Sequence, residues 1–430
     1  MNYISFPVVD AKMEGLDDVV FPNMVKIRQI YDSMEIENVP QYLYNALQQQ
    51  TDKFGSLENK KICLTAGSRG IPFYYEITKT IIEWLKEKGA KPFIVPAMGS
   101  HAFATAAGQR DMLAGFGITE DSVGCPILSS METVIVGELK DGTPVYCDKY
   151  AYQSDGIVVL NKIKPHTSFK GPHESGLLKM LCIGLGKHKG AATMHRKGYE
   201  NFHWLVEEAG KVCLEKEPVL FAVGVVQNAY DKISELEVIE KEKIVDRDRE
   251  LLKVAKEKLA KFKFSKTDVL IIDQIGKNLG GAGFDPNVVA RKDRIYPGTL
   301  ISQNIFVRGL TEATHHNASG IGTIDVTTLR CVNDVDWAAT WTNMMTANFL
   351  PGCRIPCFAK NDEQALKWAI RTCTGIDYSD ARVVWIKDTM HMSEIKVSEN
   401  LARELSTRDD IEILSNPEPI HFGQDGYIIE

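Results

Sequence analysis

Chemistry is concentrated in one stretch of this chain, PHTSFKGPHESGLLKMLCIGLGKHKGAATMH, running from Pro165 to His195. Lys179 sits there among apolar neighbours, in GLLKMLCIGLG. A lysine so placed either snorkels to the surface or is held with a lowered pKa that makes its amine a nucleophile. His166 lies thirteen positions before it and His195 sixteen after. Imidazoles bind borderline metals such as zinc or nickel and move protons near neutral pH. The segment therefore reads as a candidate metal and cofactor site. Other residues of the right type lie outside it. Ser68 and Arg69 stand in GSRG, where flanking glycines let the backbone approach a ligand and the guanidinium suits a carboxylate or phosphate. His101 follows PAMGS, and Gln274 and Lys277 follow DVLIID, where an amide and an ammonium suit a carboxylate substrate.

The elements that must position these residues are those of an α/β protein. Residues 60–98 read as an apolar strand KKICLTA, the loop GSRGIPF, a helically spaced YYEITKTIIEWLKEKGA and a second strand KPFIVPAMG. That is a βαβ unit, whose crossover makes the strands parallel. METVIVGELKDGTPVYCDKY contains β-like runs with a turn at Asp141-Gly142, and DGIVVLNKIKPH is another apolar strand delivering a basic, imidazole-bearing loop. Residues 245–264 form a charged amphipathic helix, and KTDVLIIDQIGKNLGGAGFDPN opens a second α/β region. Ser68, Arg69, His101, His166, Gln274 and Lys277 all fall at strand ends, where ligands of open α/β sheets collect.

Composition narrows the class. The chain has 430 residues, 44% hydrophobic and 25% charged, with a net charge of −7, so two domains are expected and a general nucleic-acid binder is not. No signal peptide and no apolar run long enough to span a membrane is read, and nine irregularly spaced cysteines point to reduced, cytoplasmic thiols. Cys353 and Cys357 are read as packing residues. His315-His316, as neighbours in a strand, would point to opposite faces and could not share one ion.

The ordered set Arg69, His101, His166, Lys179, His195, Gln274 and Lys277 resembles the nickel-dependent lactate racemase family, whose members racemise or epimerise 2-hydroxy acids. The resemblance implies two α/β domains, each with a mainly parallel or mixed sheet flanked by helices, and an active site in the interdomain cleft. Residues 1–250 would bind the cofactor and 251–411 would close over substrate, with 412–430 packing back on the first domain. The cofactor implied is a nickel-pincer nucleotide, pyridinium-3,5-bisthiocarboxylic acid mononucleotide with nickel. Lys179 would tether it and His195 would ligate the nickel. Ser68, Arg69, Gly176 and Lys187 would surround it, with Ser175 and His188 as further candidates. His101 and His166 would be acid and base, and Arg69, Gln274 and Lys277 would hold the substrate. Separate proteins would make the cofactor. The oligomeric state is not legible.

Chemistry supports such a cofactor. A carboxylate stabilises a neighbouring carbanion poorly, whereas hydride removal gives a flat 2-keto acid that can take hydride back on either face. Two departures from the lactate-specific pattern stand out, GPHES inserted before GLLK and GSRG in place of an aspartate-bearing loop. A longer loop carrying Lys170, His173 and Glu174 would meet a larger or more polar acid than lactate. Two rival readings remain at this level. One is a metal-dependent hydroxy-acid lyase or hydratase with metal held directly by histidines. The other is a non-catalytic nucleotide- or metal-binding protein.

Overall fold

The computed structural model describes residues 4–9, 11–290 and 299–429. Contacts divide the chain into a continuous unit, Asp32–Leu259, and a discontinuous one made of Met1–Tyr31 with Ala260–Glu430. The first strand, β1 (Met24–Gln29), belongs to the discontinuous unit.

The continuous unit holds β2 (Lys61–Ala66), β3 (Lys91–Pro96), β4 (Thr133–Glu138), β5 (Pro144–Asp148), β6 (Gly156–Lys162), β7 (Val219–Gln227) and β8 (Ile233–Glu240). Its main sheet has the order β3-β2-β6-β7-β8. The first four of these strands run parallel and β8 returns antiparallel to β7. Because helices cover a parallel sheet, its strands read as unbroken apolar runs, and β2 is buried from Ile62 to Ala66. The crossover from β2 to β3 is the helix Tyr74–Glu87, which buries Ile77, Ile81, Ile82, Trp84 and Leu85 at helical spacing. It ends at Lys88, and Gly89 takes the left-handed conformation (φ 78°) that stops such helices. Phe54 stacks on Phe221 with centroids 4.4 Å apart, and Trp84 meets both edge-on. Burying one such side chain contributes about 1.5–3 kcal/mol. β4 and β5 form a separate hairpin closed by Asp141-Gly142.

The discontinuous unit adds β9 (Lys266–Ile275), β10 (Val289–Ala290), β11 (Leu300–Leu310), β12 (Val326–Thr328), β13 (Cys357–Ala359), β14 (Val383–Ile386), β15 (Glu394–Ser398) and β16 (Ile411–Ile413). Its mixed sheet has the order β13-β12-β11-β9-β14-β15-β1-β16, with β10 beside β11. The strands from β13 to β14 run parallel, and β15, β1 and β16 alternate in direction. The helix Asp362–Arg371 buries Ala365, Leu366, Ala369 and Ile370 against this sheet.

The expected α/β class with flanked mixed sheets is what the chain forms. The division of the chain differs from the one expected. Residues 1–31 do not join the unit that follows them, because β1 pairs with β15 and β16. The tail belongs to the discontinuous unit as well. Met24 and Glu418 exchange backbone hydrogen bonds, and Ile428 donates to Asp362 and accepts from Arg308. All of these partners lie in the discontinuous unit.

Candidate active site

Four parallel strands bring the carboxyl ends of β2, β3, β6 and β7 to one edge of the continuous unit. β2 delivers Ser68 and Arg69, β3 delivers His101, and β6 delivers Lys162, Lys164 and His166. Ser68 Oγ and His101 Nδ1 share a hydrogen bond, which ties the first two loops together. Gln109 braces the second loop, donating to Gly99 O at 3.1 Å. His101 is exposed and is followed by three left-handed residues, Ala102, Phe103 and Ala104, with φ between 53° and 58°. Non-glycine residues in that conformation cost about 1–2 kcal/mol each.

His166 sits in a stiffer setting. Its N–H donates to Glu174 Oε2 at 2.7 Å, and its carbonyl accepts from Lys170 Nζ at 2.9 Å. Ser168 N–H donates to its Nδ1 at 3.0 Å, so the proton of the neutral ring is on Nε2. Phe169 packs on the ring at 4.3 Å between centroids. Burial first, then the charges of Lys179, Lys164 and Lys170, push its pKa well below the ordinary range.

Lys179 closes the short helix Leu177–Lys179 and leads into a π-helical turn, Met180–Leu185. Such turns widen a helix and recur at functional sites. This one packs close under the strand ends: Gly99 N–H donates to Gly184 O at 3.1 Å, and a Cβ on Gly67 would stand 2.9 Å from Met180 Cε. The Lys179 ammonium lies 5.9 Å from the Phe169 centroid. Burial, then the charges of Lys164 and Arg69, bring its pKa down to about 7. His195 ends the helix Lys187–His195 and stacks on Phe202, with centroids 5.4 Å apart and an interplanar angle of 8°. Burial and then the Lys179 charge lower it to about 4, which keeps the imidazole neutral and able to ligate a metal. Arg69, His166, Lys179 and His195 thus feel one another around a floor of Phe169, Tyr199 and Phe202.

Several expected site residues have other work. Lys187 is fully buried. Its ammonium donates to Pro96 O and to Gln109 Oε1 at 3.4 Å and lies 3.4 Å from the Asp148 carboxylate, so its charge is engaged inside the protein. Gly176 is buried, and its lack of a Cβ is explained by Asp248, whose Oδ1 would lie 2.1 Å from one. Asp248 accepts from Leu177 N–H at 2.6 Å and pairs with His173 Nδ1 at 2.8 Å. Glu174 is buried against Lys256 (2.6 Å) and Lys170 (3.6 Å). The GPHES insertion therefore turns inward: His173 and Glu174 brace the Lys179 helix and the His166 loop instead of meeting a substrate. Ser175 exchanges backbone bonds with Lys164, and His188 is exposed.

Gln274 and Lys277 lie at the carboxyl end of β9 in the other unit. Lys277 Nζ donates to Asn343 Oδ1 at 2.6 Å. A polar cleft of that unit includes Asp273, Arg308, Arg330 and Asp334. His315 and His316 are in a left-handed turn, not a strand, with His316 bonded to Asp334 at 2.8 Å. Cys353 is buried and Cys357 exposed. Among the described residues no three His, Cys, Asp or Glu side chains gather as a metal-binding set.

Lys162, Lys164 and the aromatic floor were not singled out from sequence. The signal for the lysines was their alternation in NKIKPH, which places both on one side of an extended strand.

A two-unit α/β protein with a cationic, imidazole-bearing edge is the class that fold and site define. Comparison gives a partial family match: residues 33–203 match the lactate racemase N-terminal domain. The match contains Ser68, Arg69, His101, His166, Lys179 and His195. Among solved structures, the lactate racemase apoprotein from Thermoanaerobacterium thermosaccharolyticum is similar in fold, with a TM-score of 0.50 and 14% identity over 86% of this chain and 99% of that one. No curated protein sequence matches the chain. Among the described residues no helix is long and apolar enough to cross a membrane.

Proposed function

We propose that this chain is a racemase or epimerase that inverts the Cα of a 2-hydroxy acid, working with a nickel-pincer nucleotide held by Lys179 and His195. The observation that carries the reading is Lys179, an amine with a pKa of about 7 inside the family match, coupled to the neutral imidazole of His195.

The residues fit such a group. Arg69, Lys162 and Lys179 form no ion pair among the described residues, so the edge suits an anionic ligand. A single protein imidazole suits a metal that arrives with its own organic donors. When bound, the group supplies a pyridinium hydride acceptor and a nickel ion.

The chain's own residues do the rest. Lys179 is half neutral near pH 7, so its nitrogen lone pair is available for a covalent tether. Arg69 takes the substrate carboxylate. His101 exchanges the hydroxyl proton, with Ser68 fixing the ring through Nδ1. His166 serves the same oxygen from its Nε2–H, because Ser168 occupies Nδ1. It accepts a proton only after that contact is released. Phe169, Tyr199 and Phe202 exclude water from the floor.

Intact-protein mass and nickel content test this, on protein made in a host that also expresses cofactor-biosynthesis proteins. A mass increment and nickel are expected in the wild type, and the increment is expected to vanish in Lys179→Ala. The loaded protein should turn one pure enantiomer or epimer of a 2-hydroxy acid into a mixture. Wild-type protein with neither increment nor nickel, from a host that loads a known relative, would overturn the proposal.

A further inference from the structure

The loop that carries His166 is closed at its neck. Lys164 and Ser175 exchange backbone hydrogen bonds at 2.8 and 3.2 Å, and just inside that bridge the Glu174 side chain reaches back across the loop. Its Oε2 accepts from His166 N–H at 2.7 Å and its Oε1 from Gly171 N–H at 3.3 Å. Glu174 is buried, and a buried carboxylate is costly unless its charge and lone pairs are met. Lys256 Nζ stands 2.6 Å from Oε1 and Lys170 Nζ 3.6 Å from Oε2. The neighbouring His173 is pinned as well, with Nδ1 2.8 Å from Asp248 Oδ2. Asp248 and Lys256 both belong to the helix Ile244–Lys258, so one rigid element holds the loop at two successive residues. Inside the closed loop, Lys170 Nζ donates to the His166 carbonyl and Ser168 N–H to its Nδ1. The main-chain N–H, the carbonyl and Nδ1 of His166 are thus each held by a group of this loop. Backbone bonds alone could close such a loop. A buried carboxylate at its neck calls for a further reason, and its shortest backbone contact is to His166.

We infer that Glu174 is a positioning residue for His166: its carboxylate, locked by Lys256, holds the loop in the shape in which Ser168 occupies Nδ1 and the ring proton stays on Nε2. The inference rests on the 2-hydroxy-acid reading for its catalytic meaning and deepens it. The GPHES insertion then adds no substrate contact and instead sets the place and tautomer of the imidazole that exchanges the proton. Glutamine at this position keeps the size but turns one acceptor into a donor facing an N–H or an ammonium, so one side of the clamp must open. Aspartate keeps the charge but shortens the arm, so it cannot reach both N–H groups.

The test is the imidazole nitrogen magnetic resonance spectrum of full-length apoprotein, isotope-labelled at histidine and recorded at neutral pH, for wild type, Glu174→Gln and Glu174→Asp. His166→Gln identifies the His166 signals. The wild type should show the Nε2–H tautomer alone at His166, and each variant a mixture of the two tautomers. A cooperative thermal transition marks a folded variant, and Glu174→Asp, which keeps the charge beside Lys256, serves if Glu174→Gln does not fold. An unchanged His166 tautomer in a folded variant would overturn the inference. In loaded enzyme, Glu174→Gln should lower kcat by up to about tenfold, the loss expected of His166→Gln itself, with KM changed less than about twofold, and should add nothing in a His166→Gln background. Losses that add in the double variant would show a merely structural role and would also overturn it. The nitrogen spectrum needs neither nickel nor turnover, so failure of the positioning is separable from failure of the racemase reading, which mass and nickel content decide.

Discussion

The two units carry arginines and lysines at the carboxyl ends of parallel strands, but they treat them differently. In the discontinuous unit Arg308 is neutralised internally, by Asp273 at 2.6 Å and Asp362 at 3.0 Å, and Trp385 Nε1 donates to the same Asp273 at 2.7 Å. In the continuous unit Arg69, Lys162 and Lys179 form no ion pair among the described residues. One edge satisfies its own charge and the other holds it open. An internally paired cation contributes order, whereas an unpaired, partly buried one costs stability and is explained by what it binds.

The largest effect expected from this contrast is at Arg308. Arg308→Met should destabilise the protein by about 3–5 kcal/mol, because it removes the cation shared by two carboxylates of which Asp362 is fully buried. Chemical denaturation measures it, and a loss below 1 kcal/mol would erase the distinction between the edges. Within the open edge the histidines should separate next. His101→Gln should lower the turnover of loaded enzyme by about 10²–10⁴-fold, the range of general acid–base catalysis. His166→Gln keeps an N–H donor where Nε2–H stood and should lose about tenfold. Equal losses would mean that the Ser168 contact does not hold during turnover.

The smallest effect is a pH dependence at Lys179. Its pKa is about 7 when folded against an ordinary 10.5, so between those values the unfolded chain binds a proton that the folded one does not. Wild-type apoprotein should gain stability as pH rises through that window, by up to about 1.4 kcal/mol per unit. Lys179→Met should be the more stable protein at pH 6, with the advantage shrinking towards pH 10. A pH-independent difference would show that the ammonium is solvated.

Much of this was legible in sequence where the signal is local. The β2–helix–β3 unit announced itself through apolar runs and helical spacing, and parallel strands then gathered Ser68, Arg69, His101 and His166 without further information. Local signals failed where partners are remote. Nothing near Lys187 in sequence marks Asp148 as its counter-ion, and nothing near His173 and Gly176 marks Asp248. These buried polar residues therefore looked like ligands. The place of β1 was hidden for the same reason, since its partners lie at the far end of the chain.

That separation has a consequence for synthesis. On the ribosome β1 emerges long before its partner: Met24 pairs with Ser398, and roughly 370 further residues must be added first, about 20–75 s at 5–20 residues per second. The whole of Asp32–Leu259 can fold in that interval. Until then MVKIRQ is a nascent strand without a sheet, the kind of segment that recruits other chains. Its Lys26 and Arg28 act as gatekeepers while it waits, and only at the end do they meet Glu394 and Glu412.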